Sequence, residues 1–359
     1  MEFKEFKIED LFEYKTGDVD LQKTDLTETG EWVVTAGTTN HGLLGKTTKT
    51  AKIISKNTIT IDMFGYAFYR NFDYKMVTHA RVFAIIPKIK CNERIGLFLT
   101  GSLAYLKKLF SYQNMCSFSK IKDLTIQLPV TPSGEIDFDY MEQYVEKIEK
   151  QYVEKIALML KASGLDNYQL TEEEKAILKE EKEKKEFKIE ELFNVESSKK
   201  IFHANNVVIK NCPEKDFYPY VVRSAQNNGV VGYINEKKEY LNPKNTLSFA
   251  QDTFVVFYQN QDYFTGNKVK ILNPKIKFNQ NIGLFITSVF NVLLKNYSWG
   301  VGSTTETIKN YKIQLPITST GEIDFDYMEK YISAIIKTKI KNVVLEINKK
   351  LELYKQTQN

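Results

Sequence analysis

Acidic side chains that could do chemistry stand in a phrase that this chain contains twice. GEIDFDYME begins at Gly134 and again at Gly321. Paired carboxylates can serve as general acid and base, provided that one of them reaches a reacting proton. Neither copy is accompanied by a base or by a cluster of metal ligands. We therefore interpret Asp137 and Asp324 as residues that cap the start of a helix.

Few other residues stand in patterns that support catalysis. The three cysteines and the three histidines are widely spaced: Cys91, Cys116, Cys212, His41, His79 and His203. None of them has a second ligand at the spacing of a zinc site. The sequence also lacks a phosphate-binding glycine loop, a nucleophile elbow and the NPPY-type tetrapeptide of adenine methyltransferases. We predict neither a metal site nor an active site.

Composition places the chain among ordinary soluble proteins. Of its 359 residues, 42% are hydrophobic and 26% are charged, and the formal net charge is +5. This charge permits a nucleic-acid partner without arguing for one. The odd number of cysteines suits a reducing compartment, and the first residues do not resemble a signal peptide. We expect a cytoplasmic protein.

The chain is a tandem duplication. KEFKIEDLF at Lys4 returns as KEFKIEELF at Lys185, and IQLPVT at Ile126 returns as IQLPIT at Ile313. The middles of the two copies, residues 16–90 and 196–277, are much less alike. Because the two copies should share a scaffold, this divergence indicates either drift or two different targets.

The elements of each copy follow from local patterns. Short runs such as WVVTAG, TITIDMFG and YPYVV predict strands. NHGLLG and NNGVVG predict tight turns, since Asn and Gly tolerate positive φ. IGLFLTGSLAYLKKLF at Ile95 and IGLFITSVFNVLLKNY at Ile282 each predict one helix packed on a sheet.

Two longer helices are predicted after the caps, because apolar residues recur there at intervals of three and four. Gly164 should end the first helix, and Thr171 with Glu174 should form a capping box in the connector. We predict that the long helices pack antiparallel through an apolar stripe. Its members are Met141, Val145, Ile148, Tyr152, Ile156, Met328, Ile332, Ile335, Ile340, Val343, Ile347 and Leu351.

The predicted fold class is therefore α+β, with two β-rich domains joined by two long helices in a pseudo-two-fold repeat. The domains should span residues 1–133 and 185–320. The first long helix with its connector should span residues 134–184, and the second long helix residues 321–359.

Several motifs, in this order and twice over, resemble the DNA specificity subunit of bacterial restriction–modification systems, both type I and the related bipartite-site systems. The motifs are KIEDLF and KIEELF, SAQNNGVVGYI, SFAQDTFVVFY with YFTGNKVKIL, and GSTTETIKNYKIQLP before a long helix. One phrase departs from the type I pattern. In many type I subunits a proline-rich, EQ-containing phrase follows the LP strand. Here GEIDFDYME stands instead, which is more similar to the variant specificity subunits whose partner subunit combines methyltransferase and nuclease.

The resemblance implies a function without catalysis in this chain. Each β-rich domain would read one half of a split target in double-stranded DNA. The helices would fix the gap and dock methyltransferase subunits, possibly fused to or joined by an endonuclease, through the stripe positions given above. The partner would hold S-adenosylmethionine. A helix of about 30 residues spans roughly 45 Å, the same order as the ~34 Å turn of DNA.

Polar side chains in the variable loops are the predicted DNA contacts. Arg, Asn and Gln can bond to base edges, while Lys, Ser and Thr suit phosphates. In the first domain we predict Asn40, His41, Lys46, Tyr69, Arg70, Lys75, His79 and Arg81. In the second we predict Arg223, Gln226, Asn227, Asn228, Tyr258, Gln259, Asn260, Asn267 and Lys268, with Trp299, Ser303, Thr304 and Thr305 against the DNA backbone.

For Asn40, Asn228 and His41, a role within the turn is the alternative to DNA contact. His203 is interpreted as a plain surface histidine.

Two other functions of the whole chain stay open from the sequence. The chain could instead be a protein-interaction scaffold whose two similar heads bind a symmetric partner. A methyltransferase with an unusual site is the other alternative.

Overall fold

The computed structural model describes residues 1–296 and 304–356 of the chain. The chain forms two compact units. The first unit comprises Met1–Ile156 together with Lys350–Asn359, and the second unit comprises Ala157–Lys349. Both contain strands and helices, so the predicted α+β class is confirmed.

The first unit begins with a strand and ends in a long helix that continues into the second unit. Its strands are β1 Glu2–Lys7, β2 Phe12–Lys15, β3 Glu31–Val34, β4 Leu43–Thr47, β5 Thr58–Ile61, β6 Ala67–Arg70, β7 Tyr74–Met76, β8 Phe83–Pro87 and β9 Thr125–Val130. Its helices are α1 Ile8–Leu11, α2 Glu93–Ser102, α3 Phe118–Ile121 and α4 Phe138–Ala162.

The second unit repeats this plan after a short helix in the connector. Its helices are α5 Glu172–Ile177, α6 Ile189–Leu192, α7 Gln280–Leu294, α8 Thr305–Asn310 and α9 Phe325–Gln356. Its strands are β10 Lys184–Lys188, β11 Phe193–Ser197, β12 Tyr218–Val221, β13 Val230–Ile234, β14 Thr246–Ala250, β15 Val255–Gln259, β16 Phe264–Thr265, β17 Val269–Pro274 and β18 Lys312–Pro316.

Both units have the same sheet topology. In the first unit the strand orders are β2-β8-β5-β6, β4-β3-β7 and β1-β9. In the second they are β11-β17-β14-β15, β13-β12-β16 and β10-β18. The parallel pairs, β3 with β7 and β12 with β16, occupy equivalent places. The duplication seen in the sequence is thus a duplication of the fold.

Strand β5, an inner strand of the four-stranded sheet, is buried on both faces. Thr and Ile alternate along it, so each face receives one kind of side chain. Ile59 and Ile61 lie in the main core of the first unit. Thr58 points to the other face, where its hydroxyl lies 2.8 Å from the hydroxyl of Tyr74. Successive strand residues point to opposite faces, so one face of β5 supplies the core and the other supplies hydrogen bonds. The equivalent strand β14 does the same.

The predicted helix boundaries are confirmed where they depend on capping residues. Asp137 accepts a hydrogen bond from the Tyr140 amide at 2.8 Å, and Asp324 accepts one from the Tyr327 amide at 2.9 Å. Gly164, at φ 65°, follows the end of α4. The predicted capping box at the start of α5 is also present.

The predicted helix from Ile95 to Phe110 is shorter than expected. Helix α2 ends at Ser102, and a single 3₁₀ turn follows at Leu106–Lys108. Its counterpart α7 continues through 15 residues. Gly101 stands where α7 has Ser288, and glycine is the weaker helix former by a few tenths of a kcal/mol to about 1 kcal/mol.

The predicted apolar stripe of the long helices is wrong at three positions. Tyr152 and Ile156 are exposed while Val153 is buried, and Val343 is 46% exposed while Val344 is buried. Each helix carries adjacent apolar residues there, and spacing alone does not decide which one faces inward. Other stripe positions are buried as predicted: Met141, Val145, Met328, Ile332 and Ile347. Ile148, Ile335, Ile340 and Leu351 are partly buried.

Across residues 1–296 and 304–356, no helix is both long and apolar enough to cross a membrane.

A glycine in α2 allows close contact between helix and sheet, which yields a testable prediction. A Cβ on Gly96 would lie 2.1 Å from the ring of Tyr69, whose hydroxyl is tied to Asn57 at 2.6 Å. We expect Gly96→Ala to lower the free energy of unfolding by about 1–3 kcal/mol, because the ring cannot move without losing this bond. Denaturant unfolding of the full chain measures the change.

Gly101→Ala in the same helix is the control, since no atom lies within 4 Å of its added Cβ. This variant should be neutral or stabilised by up to about 1 kcal/mol. Equal destabilisation of both variants would contradict the explanation.

Candidate nucleic-acid interface

Each unit presents a tight turn between two antiparallel strands of its three-stranded sheet. In the first unit the turn contains Asn40 at φ 47° and His41 at φ 52°. In the second it contains Asn227 at φ 48° and Asn228 at φ 56°. All four side chains are exposed. Asn tolerates this left-handed region better than most residues, so the expected turn role of Asn40, His41 and Asn228 fits their backbone.

In the first unit a buried side chain holds the turn from beneath. Arg70, the last residue of β6, is 2% exposed. Its Nη2 donates to the carbonyl oxygen of His41 at 2.7 Å, and its Nε donates to the Thr60 hydroxyl at 2.9 Å. Burial lowers the pKa of Arg70 to about 10, so the guanidinium stays charged at neutral pH.

In the second unit a different residue has the same role. Gln259, the last residue of β15, is 3% exposed. Its Nε2 donates to the carbonyl oxygen of Asn228 at 3.1 Å and to the Ser248 hydroxyl at 2.9 Å. Arginine in one unit and glutamine in the other thus donate to equivalent carbonyl oxygens. We call Arg70 and Gln259 the brace residues.

Three predicted DNA contacts therefore lie inside the protein. Besides the two brace residues, Lys75 is buried, and its Nζ pairs with Glu31 at 2.8 Å and donates to the Lys49 carbonyl at 2.7 Å. The hydrogen bond from Lys75 lowers the pKa of the Glu31 carboxyl. A direct contact with DNA requires an exposed side chain, so these three residues are assigned to the scaffold.

Two predicted tyrosines also anchor the scaffold. The hydroxyl of Tyr69 donates to Asn57 at 2.6 Å, and that of Tyr258 donates to Asn245 at 3.0 Å. Both rings are partly buried. Their repetition in the two units indicates a shared structural role.

The other predicted residues of the first unit remain at or near the surface. The ring of His41 stacks on Phe68 with centroids 5.4 Å apart, and Lys46 lies over the ring of Trp32. His79 contacts the carboxylate of Asp20 through Nδ1. That hydrogen bond lowers the pKa of the Asp20 carboxyl.

A basic, aromatic cleft of about 1030 Å³ opens in the first unit. Arg81, which has φ 53°, lines it together with Lys120 and Lys122. Tyr14 and Phe118, stacked with centroids 4.7 Å apart, form part of the wall. None of the residues that line the cleft is acidic. Lys120 and Lys122 are not among the predicted DNA contacts, although the alternation of basic and other residues in SKIKD signals a basic surface.

The second unit groups charged and amide side chains near its turn. Asp252 accepts hydrogen bonds from Arg223 and, at 3.1 Å, from Lys268. Burial alone would raise the pKa of Asp252, but the hydrogen bonds from these two cations outweigh it and the pKa is lowered. One carboxylate therefore holds two predicted DNA contacts together.

Amide side chains are available on the same unit. Asn227 donates to the Val230 carbonyl at 2.8 Å, and Asn228 donates to the Tyr258 carbonyl at 2.9 Å. The remaining predicted amides are exposed: Gln226, Asn260 and Asn267.

The residues predicted to touch the DNA backbone are only partly described. Trp299 and Ser303 lie outside the described residues. Thr304 caps α8, since its hydroxyl accepts from the Thr307 amide at 3.1 Å, and Thr305 is the first residue of that helix. Within the described ranges, His, Cys, Asp and Glu do not gather in a group of three or more that could hold a metal ion.

A family model described as the type I restriction modification DNA specificity domain matches residues 1–158 and 181–346. The specificity subunit S.BcgI of a type II restriction enzyme from Heyndrickxia coagulans is 35% identical over 132 residues, which are 36% of this chain and 38% of that protein. The type I restriction–modification S subunit of M. genitalium is similar in fold. Its crystal structure has a TM-score of 0.53 at 15% identity, covering 99% of this chain and 94% of that one.

The brace residues yield a prediction that does not depend on DNA. The amide of Thr35 bonds to the Gly42 carbonyl at 2.8 Å and closes the turn of the first unit. We expect Arg70→Ala to speed hydrogen exchange of the Thr35 amide about tenfold or more, because the His41 carbonyl loses its charged donor, at about 1.5–3 kcal/mol. Hydrogen exchange of the full chain measures the effect.

Arg70→Gln should restore most of the protection, because glutamine is the brace of the second unit. Gln259→Ala is the matched control. It should speed hydrogen exchange of the Val222 amide, which donates to the Gly229 carbonyl at 2.8 Å, and leave the exchange rate of the Thr35 amide unchanged. Unchanged exchange at Thr35 in Arg70→Ala would show that the turn does not depend on its brace.

Proposed function

Because the chain belongs to the type I restriction modification DNA specificity family, we propose that it is the sequence-reading subunit of a restriction–modification complex. Each unit reads one half of a split target in double-stranded DNA. The chain spans about two fifths of the curated relative that it matches.

One observation carries this proposal: the same scaffold occurs twice and presents turns of different chemistry. The strand orders of the two units agree throughout, whereas the turn displays an imidazole at His41 and an amide at Asn228. Drift alone would not keep a buried brace under each turn. Two constant frames with different exposed polar groups suit a protein that reads two different half-sites.

The exposed groups are chemically suited to DNA. Asn and Gln side chains can bond in pairs to adenine in the major groove, and Arg to guanine. Gln226, Asn260 and Asn267 fit the first role, and Arg223 and Arg81 fit the second. In the first unit, the cleft with its three cations suits phosphates, which dominate the salt-dependent part of affinity.

Catalysis, in this proposal, belongs to partners. Methyltransferase subunits, alone or together with a nuclease, modify adenine with S-adenosylmethionine that they hold themselves. This chain selects the site and is not an enzyme.

The test is selection from random-sequence duplexes by the full chain together with its methyltransferase partner. We expect enrichment of a two-part motif with a constant gap. A single continuous motif would contradict the split-site reading. Absence of enrichment with the partner present would favour an interaction scaffold instead.

The cleft supports a second measurement. We expect Lys120→Ala with Lys122→Ala to weaken binding about equally for all sequences and to reduce the slope of log affinity against log salt by roughly 2, as expected for two lost phosphate contacts. Titrations from low to moderate salt give this slope.

Lys107→Ala with Lys108→Ala is the matched control, because it makes the same change of charge at exposed lysines of the same unit that do not line the cleft. An equal loss in both double variants would indicate a general effect of charge rather than a role of the cleft.

A further inference from the structure

In the second unit, part of the connector covers one face of α9. Ile177, in α5, belongs to the core that includes Tyr327 and Ile332 of α9. Glu174 pairs with Lys337 at 2.8 Å and accepts from Ser333 at 3.2 Å. Helix α5 therefore covers this face of α9 with one aliphatic side chain, Ile177, and with the carboxylate of Glu174.

The connector is fixed by further contacts around the same site. Glu173 pairs with Lys330, and the hydroxyl of Tyr327 donates to the Glu180 carbonyl at 3.3 Å. Lys182 lies over the Tyr327 ring, 5.5 Å from its centroid. The covering segment thus runs from Thr171 to about Glu183.

A ladder of aromatic rings lies beneath this cover. Phe285 and Tyr331 meet edge to face at 5.8 Å, and Tyr331 stacks on Tyr327 at 5.7 Å. Tyr327 and Phe285 are buried. Burial of such rings against a neighbouring segment is a large source of apolar stabilisation.

The first unit contains the same ladder, and within residues 1–296 and 304–356 no segment covers it as the connector does in the second unit. Phe98 and Tyr144 meet edge to face at 5.7 Å, and Tyr144 stacks on Tyr140 at 6.0 Å. Here, however, Tyr144 is 46% exposed. Phe3, whose ring meets Tyr140 edge to face at 6.2 Å, is 43% exposed, and Leu97, which precedes Phe98 in α2, is 39% exposed. Two homologous faces therefore differ in whether a segment lies on them.

The charges of the exposed face indicate what would bind there. Lys147 and Lys150 stand where α9 has Ala334 and Lys337, and neither makes an ion pair within the described ranges. The acidic residues of this stretch of α4 are already paired: Glu142 with Lys90 at 3.2 Å, and Glu146 and Glu149 with Arg94 at 3.2 and 3.3 Å. Within residues 140–150 of α4, the charges without an ion pair are therefore those of Lys147 and Lys150.

We propose that this face of the first unit, formed by Phe3, Leu97, Tyr140, Tyr144, Lys147 and Lys150, docks a short acidic amphipathic helix of a partner protein. The connector of the second unit is the template for that helix. Its aliphatic residue packs on Tyr144 and Leu97, and its carboxylates meet Lys147 and Lys150. This docking does not require that the chain read DNA, so it can fail or succeed independently of the proposed function.

The probe is a synthetic peptide of residues 168–183, which copies the covering segment. Fluorescence anisotropy with the full chain should show one binding site with a Kd on the order of 10–500 μM, the range of roughly −7 to −4.5 kcal/mol. An Ile177→Asp peptide should bind at least tenfold more weakly, because it lacks the apolar anchor.

Variants of the chain locate the site. Lys147→Glu with Lys150→Glu should weaken binding of the peptide at least tenfold, because its carboxylates then meet like charges. The matched control is Lys349→Glu with Lys350→Glu, which changes the same charges at exposed positions of α9 and should have little effect.

Three results would overturn the proposal. The peptide could fail to bind at about 1 mM, which corresponds to about −4 kcal/mol. Its binding could be insensitive to Lys147→Glu with Lys150→Glu. The wild-type chain could also self-associate in sedimentation, with Tyr144→Lys abolishing the association, and the occupant would then be a second copy of the chain.

Discussion

A hydrogen bond from a buried side chain to the carbonyl of a left-handed turn is the contact on which the candidate reading surface depends. Left-handed backbone disfavours a residue with a side chain by about 1–2 kcal/mol, and each turn has two such residues in succession. A hydrogen bond with a charged donor is worth about 1.5–3 kcal/mol. The bond from Arg70 to His41 is therefore of the size needed to offset the strain and keep the turn in one shape.

The second unit reaches the same result with other atoms. Gln259 is neutral where Arg70 is charged, yet both reach a turn carbonyl and a strand hydroxyl. Around them, the tyrosine–asparagine bonds and the strand orders are unchanged. The geometry of the turn is thus what the two units share. The chemistry of the groups presented on it, and of the brace below it, has been free to diverge.

The sequence predicted those features that depend on neighbouring residues. The caps at Asp137 and Asp324 and the turns at NHG and NNG were readable because each involves only a few consecutive positions. The repeat also predicted that two similar folds would occur. The caps and turns follow from short-range rules, and the repeat follows from a comparison of two segments of the same chain.

Burial of polar residues could not be predicted in the same way. Arg70, Lys75 and Gln259 end or form strands next to variable loops, and such residues are usually exposed. Their partners lie 29, 26 and 31 positions away in the chain, so only the folded sheet shows that they point inward. The apolar stripe failed for a related reason, since Val153 and Val344 each adjoin a second apolar residue and only tertiary packing decides between them.

The distance along the chain between a turn and its brace limits how this protein can be re-engineered or can change by recombination. A crossover that imports a foreign turn between β3 and β4 leaves the resident Arg70 on β6 beneath it. The imported loop keeps its shape only if it places a carbonyl oxygen within reach of that resident donor. Exchange of the whole block from the hairpin to the end of β6 keeps each turn with its own brace, whereas a graft of the loop alone separates them.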